Sequence, residues 1–202
     1  YLVYNTDMVI TDIKPQQKSK SRVSVFVDGE FFCGLEKITA MEHRLKIGDE
    51  IDPDELTKAV RESECAAAFE KAANYLGARP RTKKEIRVYL AGKGYSDEVV
   101  ISAVDKLCEY GYVDDAEYCR QYVSAYSRKF GSRRIEADLK SKGVDFNLIE
   151  DALEELGEQS EEIRRIAEKY LCSHEYNERK LIAYLLGKGF DYDQIKEGLK
   201  NE

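Results

Sequence analysis

The sequence predicts a mainly α fold: three tandem three-helix repeats forming an elongated, curved array, preceded by a small N-terminal β-hairpin module. Three observations carry that expectation. A helix closing in Lys-Gly recurs three times, with its glycine at Gly94, Gly143 and Gly189. Ahead of each Lys-Gly stands an apolar residue (Ile86, Ile135, Leu181), then a leucine four positions on (Leu90, Leu139, Leu185). An Asp-Gly pair, Asp28-Gly29, separates two runs of β-forming residues, and such a pair supplies the two positive-φ positions of a tight hairpin turn.

Taken in order, Met8–Ile13 reads as a strand, Pro15–Ser21 as a polar connection, and Val23–Val27 as a second strand alternating with period two. Glu30–Leu35 resumes β character after the Asp-Gly turn. Ile38–Leu45 reads as a short helix and Gly48–Glu50 as a turn. Asp52 is the expected N-cap of a long helix, with Pro53 at its first position, Glu55 as capping-box partner, and Gly77 as the residue just past its end.

The repeats then follow. Their leading helices are expected over Ala68–Leu76, Glu117–Arg128 and Glu162–Leu171. The Lys-Gly helix comes second, stopped by its glycine. A third helix opens at a polar cap, Ser96, Asp145 or Asp191, the last with Gln194 as a capping box; Asp114 and Glu117 read as another. Matching apolar positions fall at Val100, Ile149 and Ile195, and at Val104, Leu153 and Leu199. The expected division is residues 1–52 for the β module, 53–115 for the linking helix and first repeat, 116–160 for the second, and 161–202 for the third.

Composition bounds the function. The 202 residues carry a net charge of −7, so a nucleic-acid contact calls for a local basic patch or a protein intermediary. No apolar run reaches the roughly 18 residues of a membrane span, and the first residues lack the basic and apolar regions of a secretory leader. Five widely spaced cysteines (Cys33, Cys65, Cys108, Cys119, Cys172) suit a reducing cytoplasm and read as buried small hydrophobes. With His43 and His174 as the two histidines, no metal site is expected. No phosphate-binding loop, dinucleotide fingerprint or metalloprotease motif occurs, so neither catalysis nor a cofactor is expected.

The residues Arg79-Pro80-Arg81-Thr82-Lys83-Lys84-Glu85-Ile86, Gly94, Gly111-Tyr112-Val113-Asp114-Asp115 and Phe130-Gly131-Ser132-Arg133-Arg134-Ile135 resemble the RecX family, bacterial regulators of the RecA recombinase. The resemblance runs from about Cys65 to the C-terminus and is most specific between Tyr75 and Gly143. It implies a modulator, usually an inhibitor, that binds in the groove of the RecA filament on single-stranded DNA. There it limits filament growth, ATP hydrolysis and strand exchange, a role in DNA repair, recombination and the SOS response. It also implies weak direct DNA contact by a cytoplasmic monomer.

The residues add a clue of their own. Each Lys-Gly helix opens with basic side chains: Lys83 and Lys84, Arg133 and Arg134, Arg179 and Lys180. Lys84, Arg133 and Arg179 share one repeat position. A cation there opposes the helix dipole, and its recurrence points to an anion bound from outside, phosphate or carboxylate. Arg79, Arg81, Arg87, Arg128 and Lys129 extend the patch. The competing reading is a solvated face with each cation paired to a nearby glutamate. Lys93, Lys142 and Lys188 lie at helix C-termini, where the dipole favours them, and read as structural. Asp114 and Asp115 read as capping residues rather than a catalytic pair. The surplus tyrosines (Tyr89, Tyr95, Tyr110, Tyr112, Tyr118, Tyr122, Tyr126) read as packing, with base stacking the alternative. Against the filament regulator stand two alternatives: a sequence-nonspecific DNA-binding protein built of helix-turn-helix-like units, and a helical scaffold for protein interaction.

Overall fold

The computed structural model describes residues 8–17 and 19–200. The described chain divides into two compact units. One holds the residues up to Ala78 together with Arg87–Tyr110; the other holds Arg79–Ile86 and the chain from Gly111 onward.

The first unit opens with a four-stranded antiparallel sheet in the order β3-β2-β1-β4, formed by β1 (Met8–Gln16), β2 (Ser19–Val27), β3 (Glu30–Glu36) and β4 (Glu50–Ile51). Asp28 and Gly29 take φ of 51° and 88°, as the hairpin requires. Most of the stretch expected as a polar connection is strand instead. Pro15 pairs with Val23 at the end of β1 that β4 does not reach, so its missing N–H interrupts no second ladder. Alternation places Val23, Val25 and Val27 in a core with Ile10, Cys33, Leu35, Ile51 and Leu56.

Helix α1 (Lys37–Glu42) is shorter than expected. It ends in a Schellman-type turn, with Leu45 N–H donating to the Ala40 carbonyl, and the left-handed residue is Arg44, at φ 52°. A bulky side chain there costs about 1 kcal/mol against glycine. Helix α2 (Pro53–Leu76) is a single 24-residue element. Its first half faces the sheet, where the Ser63 hydroxyl accepts from Glu36 N–H at 2.6 Å. Farther along, the fully buried Ala68 and Ala72 allow close approach of α4 (Asp97–Glu109). Gly77 is right-handed at φ −58°, so the expected left-handed stop is absent and α2 ends in an ordinary αR cap.

Helix α3 (Lys83–Ala91) carries the first Lys-Gly; α5 (Asp115–Tyr126), α6 (Ser132–Ser141) and α7 (Phe146–Glu154) form the second repeat; α8 (Ser160–Leu171), α9 (Glu178–Gly187) and α10 (Tyr192–Leu199) form the third. All three Lys-Gly helices close alike. The residue after the glycine donates back to the repeated leucine: Tyr95 to Leu90, Val144 to Leu139, Phe190 to Leu185. The glycines take φ of 88°, 75° and 89°. The repeated apolar residue and leucine of all three helices are buried, and the second and third repeats each enclose their own apolar core.

The second unit is held together by helix ends. The start of α3 sits on the end of α6: Thr82 Oγ1 donates to the Lys142 carbonyl at 2.7 Å, and Lys84 Nζ donates to that of Ser141 at 3.3 Å. The start of α6 sits likewise on the end of α9: Gly131 N–H donates to the Lys188 carbonyl at 3.0 Å and Arg133 N–H to that of Gly189 at 3.2 Å. At the start of α6 backbone N–H groups meet the carbonyls that end α9, whereas at the start of α3 side-chain donors reach the carbonyls that end α6. The approach demands glycine. A Cβ on Gly143 would lie 2.7 Å from Lys84 Cβ, and one on Gly189 would lie 2.6 Å from the Arg134 backbone nitrogen. Around Gly94 there is nothing within 4 Å.

Alanine substitutions should separate backbone strain from lost docking. Gly94→Ala should cost about 1 kcal/mol, from the left-handed conformation alone. Gly189→Ala, meeting backbone as well, should cost about 2–4 kcal/mol. Urea unfolding of the two variants measures the difference, and equal losses would remove the docking role of Gly189.

Candidate partner and nucleic-acid interface

Several of the basic residues singled out in the sequence have partners within the second unit. Thr82 and Glu85 form a reciprocal capping box at the start of α3: Glu85 N–H donates to Thr82 Oγ1 at 3.2 Å and Thr82 N–H to Glu85 Oε2 at 3.1 Å. The T-x-x-E spacing of Thr82 and Glu85 is the local signal of this box. Arg79 bonds the same carboxylate at 2.8 Å and Arg81 lies 3.9 Å from it. Burial pushes the Glu85 carboxyl up, but the bonds from Arg79 and Thr82 outweigh it and hold it below the usual range.

Arg133 pairs with Asp191, whose other oxygen caps α10. Arg134 lies with its guanidinium carbon 4.3 Å from the centre of the Phe130 ring. The Arg128 carbonyl accepts from Arg165. Arg179, Lys180, Arg87 and Lys129 are exposed and enter no ion pair among the described residues. Lys83 contributes its backbone: its N–H donates to Asp115 Oδ1 at 3.0 Å. Asp115 is buried and thereby caps α3 while opening α5, a long-range role no local pattern reveals. Asp114 caps α5 as expected, but Glu117 turns away from the cap to bond Arg120 and Gln121. Asn177, unremarked in the sequence, caps α9 through Lys180 N–H.

The tyrosines form the more distinctive surface. Tyr118, Tyr122, Tyr126 and Phe130 recur every fourth residue and stack in a row beginning on α5, with centroids 6.1, 4.4 and 6.2 Å apart. Tyr126 remains 37% exposed. Beside the row runs an open groove of 440 Å³, to which Arg79, Gln121 and Lys142 contribute polar edges. Lys142 Nζ lies 5.7 Å from the Tyr122 ring centre, and Lys188 lies 5.5 Å from Phe130 and 5.3 Å from Tyr184. In the first unit Lys93 lies 5.3 Å from Tyr89. Each Lys-Gly lysine therefore sits over an aromatic ring as well as at a helix C-terminus. Rings flanked by cations with their edges open make a platform for nucleobases and phosphates.

The Tyr122 hydroxyl donates to Asp138 at 3.3 Å. Burial, the Asp138 charge and this bond push the phenol up to about 12, so the ring stays neutral throughout the physiological range. Cys33 and Cys119 are buried and their thiols are pushed up to about 11 by burial, which leaves them unreactive; Cys172 is exposed, contrary to the uniformly buried expectation. Among the described residues no cluster of three or more His, Cys, Asp or Glu side chains is placed to hold a metal ion, and no helix is long and apolar enough to cross a membrane.

A raised phenol pKa stabilises the fold below the ordinary value near 10, and that contribution is lost as pH rises through the folded value. An absorbance titration at 295 nm, differenced against Tyr122→Phe, should show Tyr122 titrating well above the ordinary tyrosine value. Asp138→Asn should move it down by roughly one unit, because a charged acceptor is removed. A Tyr122 unchanged in Asp138→Asn would discount the carboxylate contact.

Residues 8–52 match the regulatory protein RecX N-terminal domain, 68–107 the RecX first three-helix domain, and 114–153 the RecX second three-helix domain. The chain is 32% identical to the regulatory protein RecX of Clostridium acetobutylicum, covering 95% of this chain and 94% of that protein. It is 34% identical to that of Caldanaerobacter subterraneus subsp. tengcongensis, covering 95% and 98%. A crystal structure of regulatory protein RecX superposes with a TM-score of 0.72 at 25% identity, over 96% of this chain and all of that one. The RecX of Lactobacillus salivarius gives 0.63 at 29% identity, over 68% and 95%. With a β module, three-helix repeats and these relatives spanning nearly its whole length, the chain belongs to the RecX family of regulatory proteins.

Proposed function

We propose that the protein regulates a RecA-type recombinase by binding in the groove of its filament on single-stranded DNA, limiting filament growth, ATP hydrolysis and strand exchange. Full-length membership of a family of regulatory proteins is the observation that carries this reading. The action is stoichiometric and non-catalytic. Its contact residues in the second unit are the cations of the Lys-Gly helix starts (Lys83, Lys84, Arg133, Arg134, Arg179, Lys180), their neighbours Arg79, Arg81, Arg128 and Lys129, and the tyrosine row beside Lys142; Arg87 is the candidate in the first unit. Lys84 and Arg133 use part of their hydrogen-bonding capacity on Ser141 and Asp191, and each keeps further N–H donors for an anion.

A specific observation also supports direct DNA contact. The stacked tyrosines edged by Arg79 and Lys142 offer both base-stacking surface and phosphate partners. Against tight binding of free DNA stands the net charge of −7, so that contact is weak and falls steeply with salt.

The test is a recombinase ATPase assay on single-stranded DNA with this protein at substoichiometric dose, where inhibition is expected. Tyr126→Ala should raise the dose needed about 5–10-fold, as the loss of one stacking platform predicts. A parent protein without effect on ATP hydrolysis or strand exchange would end the regulator reading. Equal affinity for naked and recombinase-coated DNA would favour the DNA-binding alternative.

A further inference from the structure

We propose that the β module carries a second docking site, a basic-rimmed apolar groove that takes a short acidic segment of a partner protein bearing aliphatic or aromatic side chains. The groove encloses 500 Å³ where β1 and β2 meet α1 and the chain that follows it. Ile13, Val23, Ala40 and Leu45 line it, and Met41 stands at its edge 70% exposed. Lys37, Arg44 and Lys46 complete the lining, and no carboxylate belongs to it. These three cations are exposed and make no ion pair among the described residues, in a chain whose net charge is −7. Such a local reversal of sign selects an acidic ligand.

A second observation is independent of charge. Arg44 holds the left-handed position that ends α1, whereas glycine fills the matching position at all three Lys-Gly ends. Glycine would satisfy the turn at lower cost, and what arginine adds is a side chain that lines the groove. The aliphatic floor decides between ligand classes. It offers side-chain pockets to a peptide and no aromatic face on which a base could stack. The volume suits a few side chains rather than a whole domain. The proposal does not depend on the recombinase reading.

The experiment is a titration of the full-length, isotope-labelled protein with the peptide acetyl-Glu-Leu-Glu-Phe-Glu-Leu-amide, followed by amide and methyl NMR shifts. Saturable shifts confined to Ala40, Met41, Leu45 and their neighbours are expected, and absent with the peptide in which lysine replaces each glutamate. Arg44→Gly should weaken peptide binding about tenfold while raising the thermal midpoint by about 2–4 °C, so lost binding cannot be ascribed to lost folding. No shift at millimolar peptide, or equal shifts with the lysine peptide, would overturn the proposal. So would shifts at these residues produced instead by oligothymidylate, by vesicles with 30% anionic lipid, or by raising the protein's own concentration.

Discussion

The second unit depends on one arrangement, the seating of a helix's first turn on the last turn of another. A helix leaves up to four N–H groups and four carbonyls without partners, one set at each end. In most proteins side-chain caps or water answer them. Here the end of α9 answers backbone N–H groups at the start of α6, while the end of α6 accepts from the side chains of Thr82 and Lys84 at the start of α3, whose own N–H groups are capped by Thr82, Glu85 and Asp115. The Lys-Gly signature follows from this need. Glycine turns the chain out of the helix with positive φ and also lets the next backbone come close. The one element serves both termination and stacking.

That dual demand bears on how the cations at the helix starts are understood. Considered alone, a positive charge at a helix N-terminus is misplaced. Set against an acceptor from another helix end it is not, because Lys84 reaches the Ser141 carbonyl and Arg133 the Asp191 carboxylate. Part of the recurrent basic pattern is thus explained inside the molecule. Arg179 opens α9, whose start is capped by its own Asn177, and its charge is engaged by no ion pair among the described residues. The basic residues at the helix starts therefore include some engaged within the fold and others exposed without an ion pair among the described residues. The tyrosine row adds flat apolar area to that charge.

Much of the fold was legible because its signals are local. Periodicity at Ile86/Leu90 and their counterparts, the Asp-Gly turn, and the caps at Ser96, Asp114, Asp145 and Asp191 each act within a few residues. What escaped reading is what depends on distant partners. Asp115 looks like an ordinary first-turn acid and proves to cap α3 from 32 residues away. The seating of helix ends leaves no trace except the glycines, which a simple stop signal already explains. Pro15 and its polar neighbours resemble a loop, and become strand because pairing with Val23 overrides their propensity. The candidate site was half visible: the cations announce themselves, whereas stacking of Tyr118, Tyr122 and Tyr126 needed the pitch of α5 together with its exposed edge.

The self-sufficient cap on Asn177 carries a consequence for modularity. Where α6 begins, Gly131 offers no capping side chain and relies on the backbone of α9; where α9 begins, Asn177 supplies its own acceptor and asks nothing of a successor. The entry of α6 is therefore tied to the integrity of α9, whereas the entry of α9 stands by itself. Loosening α9 would bare the first N–H groups of α6, while loosening α6 would leave the start of α9 capped.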